Sequence, residues 1–229
     1  MSGILYGVSI GPGDPELLTI KAVKTIKSCP IIATPVTKGE NTLALDITKG
    51  AVDITEKEIV QLPFKMTRDT AEMEKNHREV AQIIEAYLDK NLDVAFLNLG
   101  DISVYSTFAY IMDIAVQDGY TVKMIPGVTS FCAVAAELTM GLTTMNKAVH
   151  IIPASSGISL SQALEMEGTK VLMKSGTSIA TVKKAIEDKG LCGKTQLVQN
   201  CGLPNQVVCK DISKAKDDAS YFTTIIVKE

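Results

Sequence analysis

The sequence predicts an α/β protein with two domains, and three observations support this prediction. Strand-like and helical segments alternate from the start of the chain, as is typical of α/β folds. A chain of 229 residues is long enough for two small domains. The pattern of segments changes after Pro126-Gly127, so we expect one domain over residues 1–125 and a second, with a mixed sheet, over residues 126–229.

In the first half, strands are followed by helices. Asp14 and Pro15 favour a helix start. Aspartate caps helix N-termini, and proline suits the first helical position because an N–H at that position has no partner within the helix. The strongest helix carries Val80, Ile84 and Tyr87 at helical spacing, with a charged opposite face. We predict strands at residues 4–10, 31–34, 93–99 and 121–125, and helices at 15–28, 69–90 and 105–117.

The second half has more strands and shorter helices. We predict helices at residues 129–139, 160–165 and 179–189, and strands at 148–152, 170–174, 196–199, 206–212 and 222–227. No helix separates the last two predicted strands. Part of the second sheet should therefore be antiparallel.

Composition and charge exclude several classes of protein. The formal net charge of -3 and the pI near 5.5 provide no general attraction for nucleic acid or for an anionic membrane. The apolar stretches are too short to span a bilayer and no signal peptide is evident, so we expect a cytoplasmic protein. With five cysteines lacking a C-x-x-C pair and only two histidines, we expect neither a disulfide framework nor a metal site.

The first loop of interest is Gly11-Pro12-Gly13-Asp14-Pro15, which follows the first strand. Ligands of open α/β sheets lie beyond the carboxyl ends of strands. A dinucleotide site is disfavoured, because Glu16 replaces the third glycine of G-x-G-x-x-G and the two prolines lack N–H groups for a phosphate. The loop is either a rigid turn or a site for another kind of ligand.

Two further loops follow predicted strands. In the segment from Gly100 to Phe108, Asp101 is either a cap for the next helix or an acceptor for a ligand, and Tyr105 offers an apolar face with a polar tip. Gly100 would allow close approach of the backbone. In the segment from Pro126 to Phe131, Thr129 and Ser130 are equally plausible as helix caps and as ligand contacts.

Together these loops resemble the signatures of the tetrapyrrole methylase family, over about Ile4 to Val227. The matching segments are GPGDPELLTIKA at Gly11–Ala22, LGDISVYSTF at Leu99–Phe108 and IPGVTSFCAVAA at Ile125–Ala136. The second and third segments, with VLMKSG at Val171–Gly176, resemble the branch that methylates C20 of precorrin-2 or of its cobalt complex. Ile102 departs from the proline usual in the second signature.

The resemblance implies two α/β domains with an active-site cleft between them, in a fold distinct from Rossmann-type methyltransferases. It also implies a homodimer, a tetrapyrrole substrate, and S-adenosylmethionine as cofactor with S-adenosylhomocysteine as product. Asp101 and Tyr105 are the candidate catalytic residues. The cofactor contacts carried over are Pro12, Leu99, Gly100, Asp101, Val104, Thr129, Ser130, Met173 and Cys201.

Several alternatives stay open at this point. The substrate's carboxylates could be bound by basic residues in or near loops at the expected cleft side, although each such residue is more often an ordinary solvated charge. The candidates are Lys21, Lys38, Lys65, Arg68 and Lys174. The chain could instead be a sister enzyme of the family that methylates another corrin position, or uroporphyrinogen III. A relative with this fold methylates ribosomal RNA, but the acidic balance counts against that activity. A non-catalytic nucleotide-binding module is the alternative from a different class.

Overall fold

A computed structural model of the chain describes residues 2–36, 42–65, 67, 69–153, 158–217 and 219–229. The chain divides into two compact units, unit 1 at Met1–Thr129 and unit 2 at Ser130–Glu229. Each unit contains one five-stranded sheet with helices, which confirms the prediction of two α/β domains.

Unit 1 is built on a wholly parallel sheet. Its strands lie in the order β3-β2-β4-β1-β5. The strands are β1 (Ile4–Ser9), β2 (Ile31–Val36), β3 (Glu58–Pro63), β4 (Val94–Asn98) and β5 (Thr121–Ile125), and the helices are α1 (Ile20–Ser28), α2 (Leu43–Ala51), α3 (Thr70–Leu88) and α4 (Phe108–Gln117).

The strand order places three loops side by side. All five carboxyl ends of the strands meet at one edge of the sheet, and β1 lies between β4 and β5. From β1 the chain crosses towards β2, whereas from β4 it crosses in the opposite direction to β5. Such a reversal between neighbouring strands is where open α/β sheets bind ligands. The loops after β4, β1 and β5 therefore lie where a ligand of such a sheet is expected.

Apolar packing holds this edge in place. Helices α3 and α4 pack on one face of the sheet, where Val80, Ile84 and Ile111 join Phe96 in a buried cluster. Right-handed crossovers place α1 and α2 on the other face. The rings of Phe96 and Phe108 have centroids 5.2 Å apart. A Cβ at Gly7 would lie 2.4 Å from the Phe108 ring, so β1 passes directly against the first residue of α4.

Three details of unit 1 differ from the sequence prediction. The predicted helix at 15–28 is a 3₁₀ turn at Pro15–Leu17 followed by α1, because Asp14 caps only the turn while Thr19 caps α1 through a 3.1 Å bond from Ala22 N–H. Helix α4 begins three residues later than predicted, after Tyr105 adopts a φ of 50°. Helix α2 and strand β3 were not predicted.

Unit 2 has a mixed sheet in the order β6-β7-β10-β8-β9. Strands β6 and β7 are parallel, and β10 runs antiparallel to both β7 and β8. The strands are β6 (Val149–Pro153), β7 (Thr169–Met173), β8 (Thr195–Gln199), β9 (Val207–Cys209) and β10 (Thr223–Val227), and the helices are α5 (Ser130–Glu137), α6 (Leu160–Glu165) and α7 (Ile179–Asp188).

The predicted antiparallel component of the second sheet is confirmed. Strands β9 and β10 do not pair with each other, since β8 lies between them and is antiparallel to both. Strand β9 is also shorter than the predicted 206–212, because the chain turns into a 3₁₀ helix at Ile212–Lys214.

Within the described ranges, every helix is too short or too polar to cross a lipid bilayer.

Candidate functional site

The first two loops of unit 1 are joined backbone to backbone. Gly100 N–H donates to Gly11 O at 2.8 Å, and Gly11 N–H donates to Gly100 O at 3.3 Å. Both glycines have positive φ, 74° and 70°, a conformation in which a side chain would be strained. The backbones of Gly11 and Gly100 therefore lie directly against each other.

Ser9, the last residue of β1, adds a second connection between these loops. Its side chain is fully buried, and its Oγ accepts a hydrogen bond from Ile102 N–H at 2.8 Å. Sequence reasoning did not single out Ser9. The available signal was a hydroxyl at the end of an apolar strand, two residues before a glycine turn, because a buried hydroxyl requires a partner.

Asp101 links the second loop to the third. Its side chain is buried, one carboxyl oxygen accepts from the Ser103 N–H at 2.9 Å and from the Ser103 hydroxyl, and the other accepts from Gly127 N–H at 2.7 Å. Burial acts to raise the pKa of Asp101, but the hydrogen bonds from Ser103 and Gly127 outweigh it, so the pKa is lowered. Asp101 is thus held as a carboxylate.

Asp101 does not cap the helix that follows, so that interpretation was wrong. Helix α4 begins at Phe108, seven positions after Asp101, and the Phe108 N–H is satisfied instead by Ser106 Oγ at 3.1 Å. The same Ser106 hydroxyl donates to Asn98 Oδ1 at 2.7 Å. The end of β4 and the start of α4 are therefore tied together independently of Asp101.

The third loop packs tightly on the other two. A Cβ at Gly127 would lie 2.4 Å from Ser9 Cβ and 3.1 Å from Gly100 O. Thr19, at the start of α1, donates to Pro126 O at 3.4 Å. The three loops therefore form one connected structure at the carboxyl edge of the sheet.

Thr129 ends this third loop and is the last residue of unit 1. Its Oγ1 is buried, and it has no hydrogen-bond partner among the residues that the structure describes. Ser130 is the first residue of α5 and the first of unit 2. A buried hydroxyl without a partner is costly in a protein that binds nothing there. Thr129 is therefore equipped to bond a ligand.

Most of the predicted contact residues meet at this edge of unit 1. Gly100 and Asp101 are buried, and Tyr105 is 45% exposed with a φ of 50°. The half-buried members of the predicted set in unit 1 are Pro12, Leu99, Val104 and Thr129.

Two of the predicted contacts in unit 2, Met173 and Cys201, lie at one edge of its own sheet. Met173 ends β7 and is half-buried, and Cys201 is buried two residues after the end of β8. Strands β7 and β8 run in the same direction, since both are antiparallel to β10. Burial, followed by the charge of Glu137, raises the pKa of Cys201 to about 11, so its thiol stays protonated.

The basic residues proposed for substrate carboxylates have different environments. Lys21 is exposed on α1. Lys65 follows β3 and forms an ion pair with Glu72 at 3.6 Å. Lys174 is half-buried and has a φ of 56°. Lys38 and Arg68 lie outside the described residues.

Known proteins with similar sequences and folds point to one family. A family model described as Tetrapyrrole (Corrin/Porphyrin) Methylases matches residues 4–215. The cobalt-precorrin-2 C(20)-methyltransferase of Salmonella typhimurium is 30% identical over 100% of this chain and 98% of its own length.

Solved structures share the fold across both units. A cobalt precorrin-4 methyltransferase matches with a TM-score of 0.78 at 18% identity, covering 98% of this chain and 94% of that one. A uroporphyrin-III C-methyl transferase from Thermus thermophilus, complexed with S-adenosylhomocysteine, matches with a TM-score of 0.71 at 20% identity, covering 99% and 92%. With the family model matching 4–215 and a relative aligned from end to end, the chain belongs to the tetrapyrrole methylase family.

Proposed function

We propose that this chain is an S-adenosylmethionine-dependent methyltransferase that methylates C20 of a precorrin-2-type tetrapyrrole in cobalamin biosynthesis. One observation carries the proposal: the end-to-end similarity to the cobalt-precorrin-2 C(20)-methyltransferase of Salmonella typhimurium, at 30% identity. Because that relative is named for the cobalt complex, cobalt-precorrin-2 is the first substrate to test.

The structure supports a cationic cofactor without phosphate. Pro12 and Pro15 remove two N–H donors from the first loop, so the loop cannot bind a pyrophosphate as a glycine-rich loop does. Asp101 adds a fixed carboxylate to the same edge of unit 1. The buried Thr129 Oγ1, without a partner among the described residues, supplies a hydroxyl for a polar atom of the cofactor. These features fit S-adenosylmethionine.

We assign the cofactor contacts to loops of both units. In unit 1 the loops after β1, β4 and β5 contribute, and in unit 2 the segments at the start of α5 and after β7 and β8. The proposed contacts are Pro12, Leu99, Gly100, Asp101, Val104, Thr129, Ser130, Met173 and Cys201. Met173 offers an apolar surface for the adenine, and Cys201 offers a protonated, unreactive thiol.

When bound, S-adenosylmethionine would supply an electrophilic methyl group to C20 of the tetrapyrrole, S-adenosylhomocysteine would be released, and C20 would lose its proton. The chain's own contribution is chiefly positioning. Holding two reactants in near-attack geometry is worth about 7–11 kcal/mol. The hydrogen bonds that connect the three loops of unit 1 suit this role, because they fix the loops before any ligand arrives.

Asp101 and Tyr105 are the two candidate catalytic residues, and their surroundings support different roles. Asp101 has its carboxylate engaged by Ser103 and Gly127, and its lowered pKa makes it a poor proton acceptor. We therefore propose that Asp101 positions the loops and accepts from the cofactor. Tyr105 is half-exposed at the same edge, so we propose that its hydroxyl faces the substrate.

Two further proposals concern the whole molecule. We propose that the enzyme is a cytoplasmic homodimer, as the resemblance to the family implies. Light scattering coupled to gel filtration measures the oligomeric state directly, and a mass near the chain's 24.6 kDa rather than twice that value would contradict the dimer.

The reaction itself can be tested with a labelled methyl group. Purified protein is incubated with S-adenosylmethionine carrying a ¹³C methyl, together with either precorrin-2 or its cobalt complex, and the product is examined by NMR. We expect the label at C20. A label at another carbon, or on uroporphyrinogen III in a parallel reaction, would assign a sister activity. Absence of transfer despite binding of S-adenosylhomocysteine would indicate a binding module, and binding of NAD alone would reject the proposal.

A further inference from the structure

A second buried hydroxyl lies in unit 2, in the loop between β7 and α7. Ser175 is 0% exposed, and its Oγ has no hydrogen-bond partner within the described part of the chain. Removing a hydroxyl from water without giving it a partner is unfavourable, so native proteins rarely contain one without a reason. The predicted contact residue Met173 is two positions away.

Ser175 lies where its hydroxyl would be expected to cap a helix. Ser175 immediately precedes the 3₁₀ helix at Gly176–Ser178, where a serine hydroxyl commonly caps the helix. Here the side chain makes no capping bond. Only the Ser175 carbonyl contributes to the turn, by accepting from Ser178 N–H at 3.0 Å. The Ser175 hydroxyl is therefore not used by the helix that it introduces.

The loop is held in this conformation by its neighbours. A Cβ at Gly176 would lie 1.9 Å from Ser220 O, so the chain passes directly against the segment that leads into β10. On the other side, Lys174 has a φ of 56°, which is uncommon for a residue with a side chain. Such strained positions persist where the surroundings fix them, and they cluster at ligand sites. Ser175 has little freedom to find another partner.

We propose that the Ser175 hydroxyl hydrogen-bonds to the nucleoside half of the cofactor, beside Met173. The inference rests on the proposed function, since it places Ser175 in the same cofactor site. A hydroxyl can both donate and accept, as the edge of adenine and the ribose hydroxyls require. Met173, on the same short segment, offers the apolar surface that a planar base packs against.

The test uses the full chain carrying Ser175→Ala, purified free of ligand before the titration. Titration calorimetry measures the Kd for S-adenosylhomocysteine and for 5′-methylthioadenosine, which keeps the nucleoside but lacks the amino-acid end. We expect both Kd values to rise by the same factor, about five- to tenfold, as for one lost hydrogen bond. The urea midpoint of the ligand-free protein should not fall, because no protein bond is lost.

Thr195→Val is the matched control. Thr195 is also 0% exposed in unit 2, but its Oγ1 donates to Leu191 O at 2.8 Å. This variant should lower the urea midpoint and leave both Kd values unchanged. Thr195 lies at the amino end of β8, away from the edge of the sheet that carries Met173.

Three results would overturn the inference. Unchanged Kd values in Ser175→Ala would remove Ser175 from the site. A urea midpoint lowered as far as in Thr195→Val would show that the hydroxyl has a partner within the protein. A weaker affinity for S-adenosylhomocysteine alone would assign Ser175 to the amino-acid end instead. If the unsubstituted protein binds neither compound, the proposed function itself fails, and the two failures are therefore distinguishable.

Discussion

Asp101 and Gly127, which are 26 positions apart, are joined by a 2.7 Å hydrogen bond from the Gly127 N–H to the Asp101 carboxylate. The bond connects the loop after β4 to the loop after β5. Because Asp101 also accepts from Ser103, one buried carboxylate shapes its own loop and holds the next one. Asp101 is therefore part of the architecture of the candidate site, whatever it contacts in a ligand.

Removing the Asp101 side chain should destabilise the protein. Asp101→Ala leaves the N–H groups of Gly127 and Ser103 without their acceptor, and we expect the free energy of unfolding to fall by about 1–3 kcal/mol. Urea denaturation followed by circular dichroism measures the loss. Asp53→Ala is the control, because Asp53 forms the same local turn, with Thr55, at an exposed position. An equal loss in both variants would mean that the bond to Gly127 contributes nothing.

The contribution of Asp101 should also depend on pH. Its pKa in the folded protein is lowered from the ordinary value of 3.8, so the carboxylate stabilises the fold above that value and loses this effect as the pH falls through the folded pKa. We expect the difference in unfolding free energy between the unsubstituted protein and Asp101→Asn to be largest above pH 4 and to shrink in more acidic buffer. A difference that stays constant from pH 3 to pH 6 would contradict this.

The contact between Gly127 and Ser9 gives a second test of how closely the loops pack. Gly127→Ala adds a Cβ 2.4 Å from Ser9 Cβ, and such overpacking typically costs about 1–3 kcal/mol. In a Ser9→Gly background the same substitution should cost less, because the opposing carbon is gone. A double-mutant cycle by urea denaturation measures the coupling.

Gly193→Ala is the control for that cycle, because nothing lies within 4 Å of a Cβ at Gly193. We expect it to leave stability nearly unchanged in both backgrounds. Strictly additive losses for Gly127→Ala and Ser9→Gly would show that the contact with Ser9 is not the source of the cost of Gly127→Ala.

The location of the site was predictable from sequence because it depends on local signals. Gly11 and Gly100 each follow an apolar strand, and in a parallel sheet the carboxyl ends of the strands lie at one edge. That reasoning was sufficient to select the loops. It could not reveal that the two glycines pair with each other, because pairing depends on β1 and β4 being neighbours, and the sequence leaves the strand order undetermined.

The elements that sequence reasoning missed lack a clear pattern. Strand β3 is an edge strand with mostly exposed residues, so it shows no alternation of apolar and polar side chains. The break between the 3₁₀ turn and α1 had a signal in Thr19, a capping residue, but the apolar periodicity continues across it and favoured one long helix.

Two buried residues that sequence reasoning did not select have small hydroxyl side chains. Ser9 and Ser175 look like ordinary polar residues in the sequence, and only their complete burial distinguishes them. For Ser9 the hydroxyl is satisfied by Ile102, which is 93 positions away. Burial and partners of this kind arise from tertiary packing, so periodicity and motif spacing do not report them.

The cysteines should differ sharply in reactivity. Cys201 is buried and its pKa is raised to about 11 by burial and by Glu137, so at pH 8 only about one thiol in a thousand is a thiolate. Cys132, on α5, is exposed. We expect iodoacetamide to label Cys132 in the native protein at pH 8 and to leave Cys201 unmodified, as peptide mass spectrometry would show. Labelling of Cys201 at the rate of Cys132 would contradict the burial of this thiol.

Tyr105 is the proposed catalytic residue whose role can be isolated most cleanly. Tyr105→Phe keeps the ring and the unusual φ of 50° but removes the hydroxyl. If that hydroxyl assists proton loss from C20, kcat should fall by about 10²-fold, the lower end for general acid–base catalysis, while the Kd for S-adenosylhomocysteine stays unchanged. Steady-state methylation of cobalt-precorrin-2 measures kcat, and titration calorimetry measures the Kd.

Tyr110→Phe is the matched control for this measurement. Tyr110 is half-exposed on α4, and its ring stacks on His77 at 4.4 Å between centroids. We expect this variant to turn over at the normal rate. A normal kcat in both variants would exclude a chemical role for the Tyr105 hydroxyl. An altered Kd with an unchanged kcat would make Tyr105 a binding residue. The lowered pKa of Asp101 argues against Asp101 as the proton acceptor. Solvent would then be the simplest destination for the C20 proton.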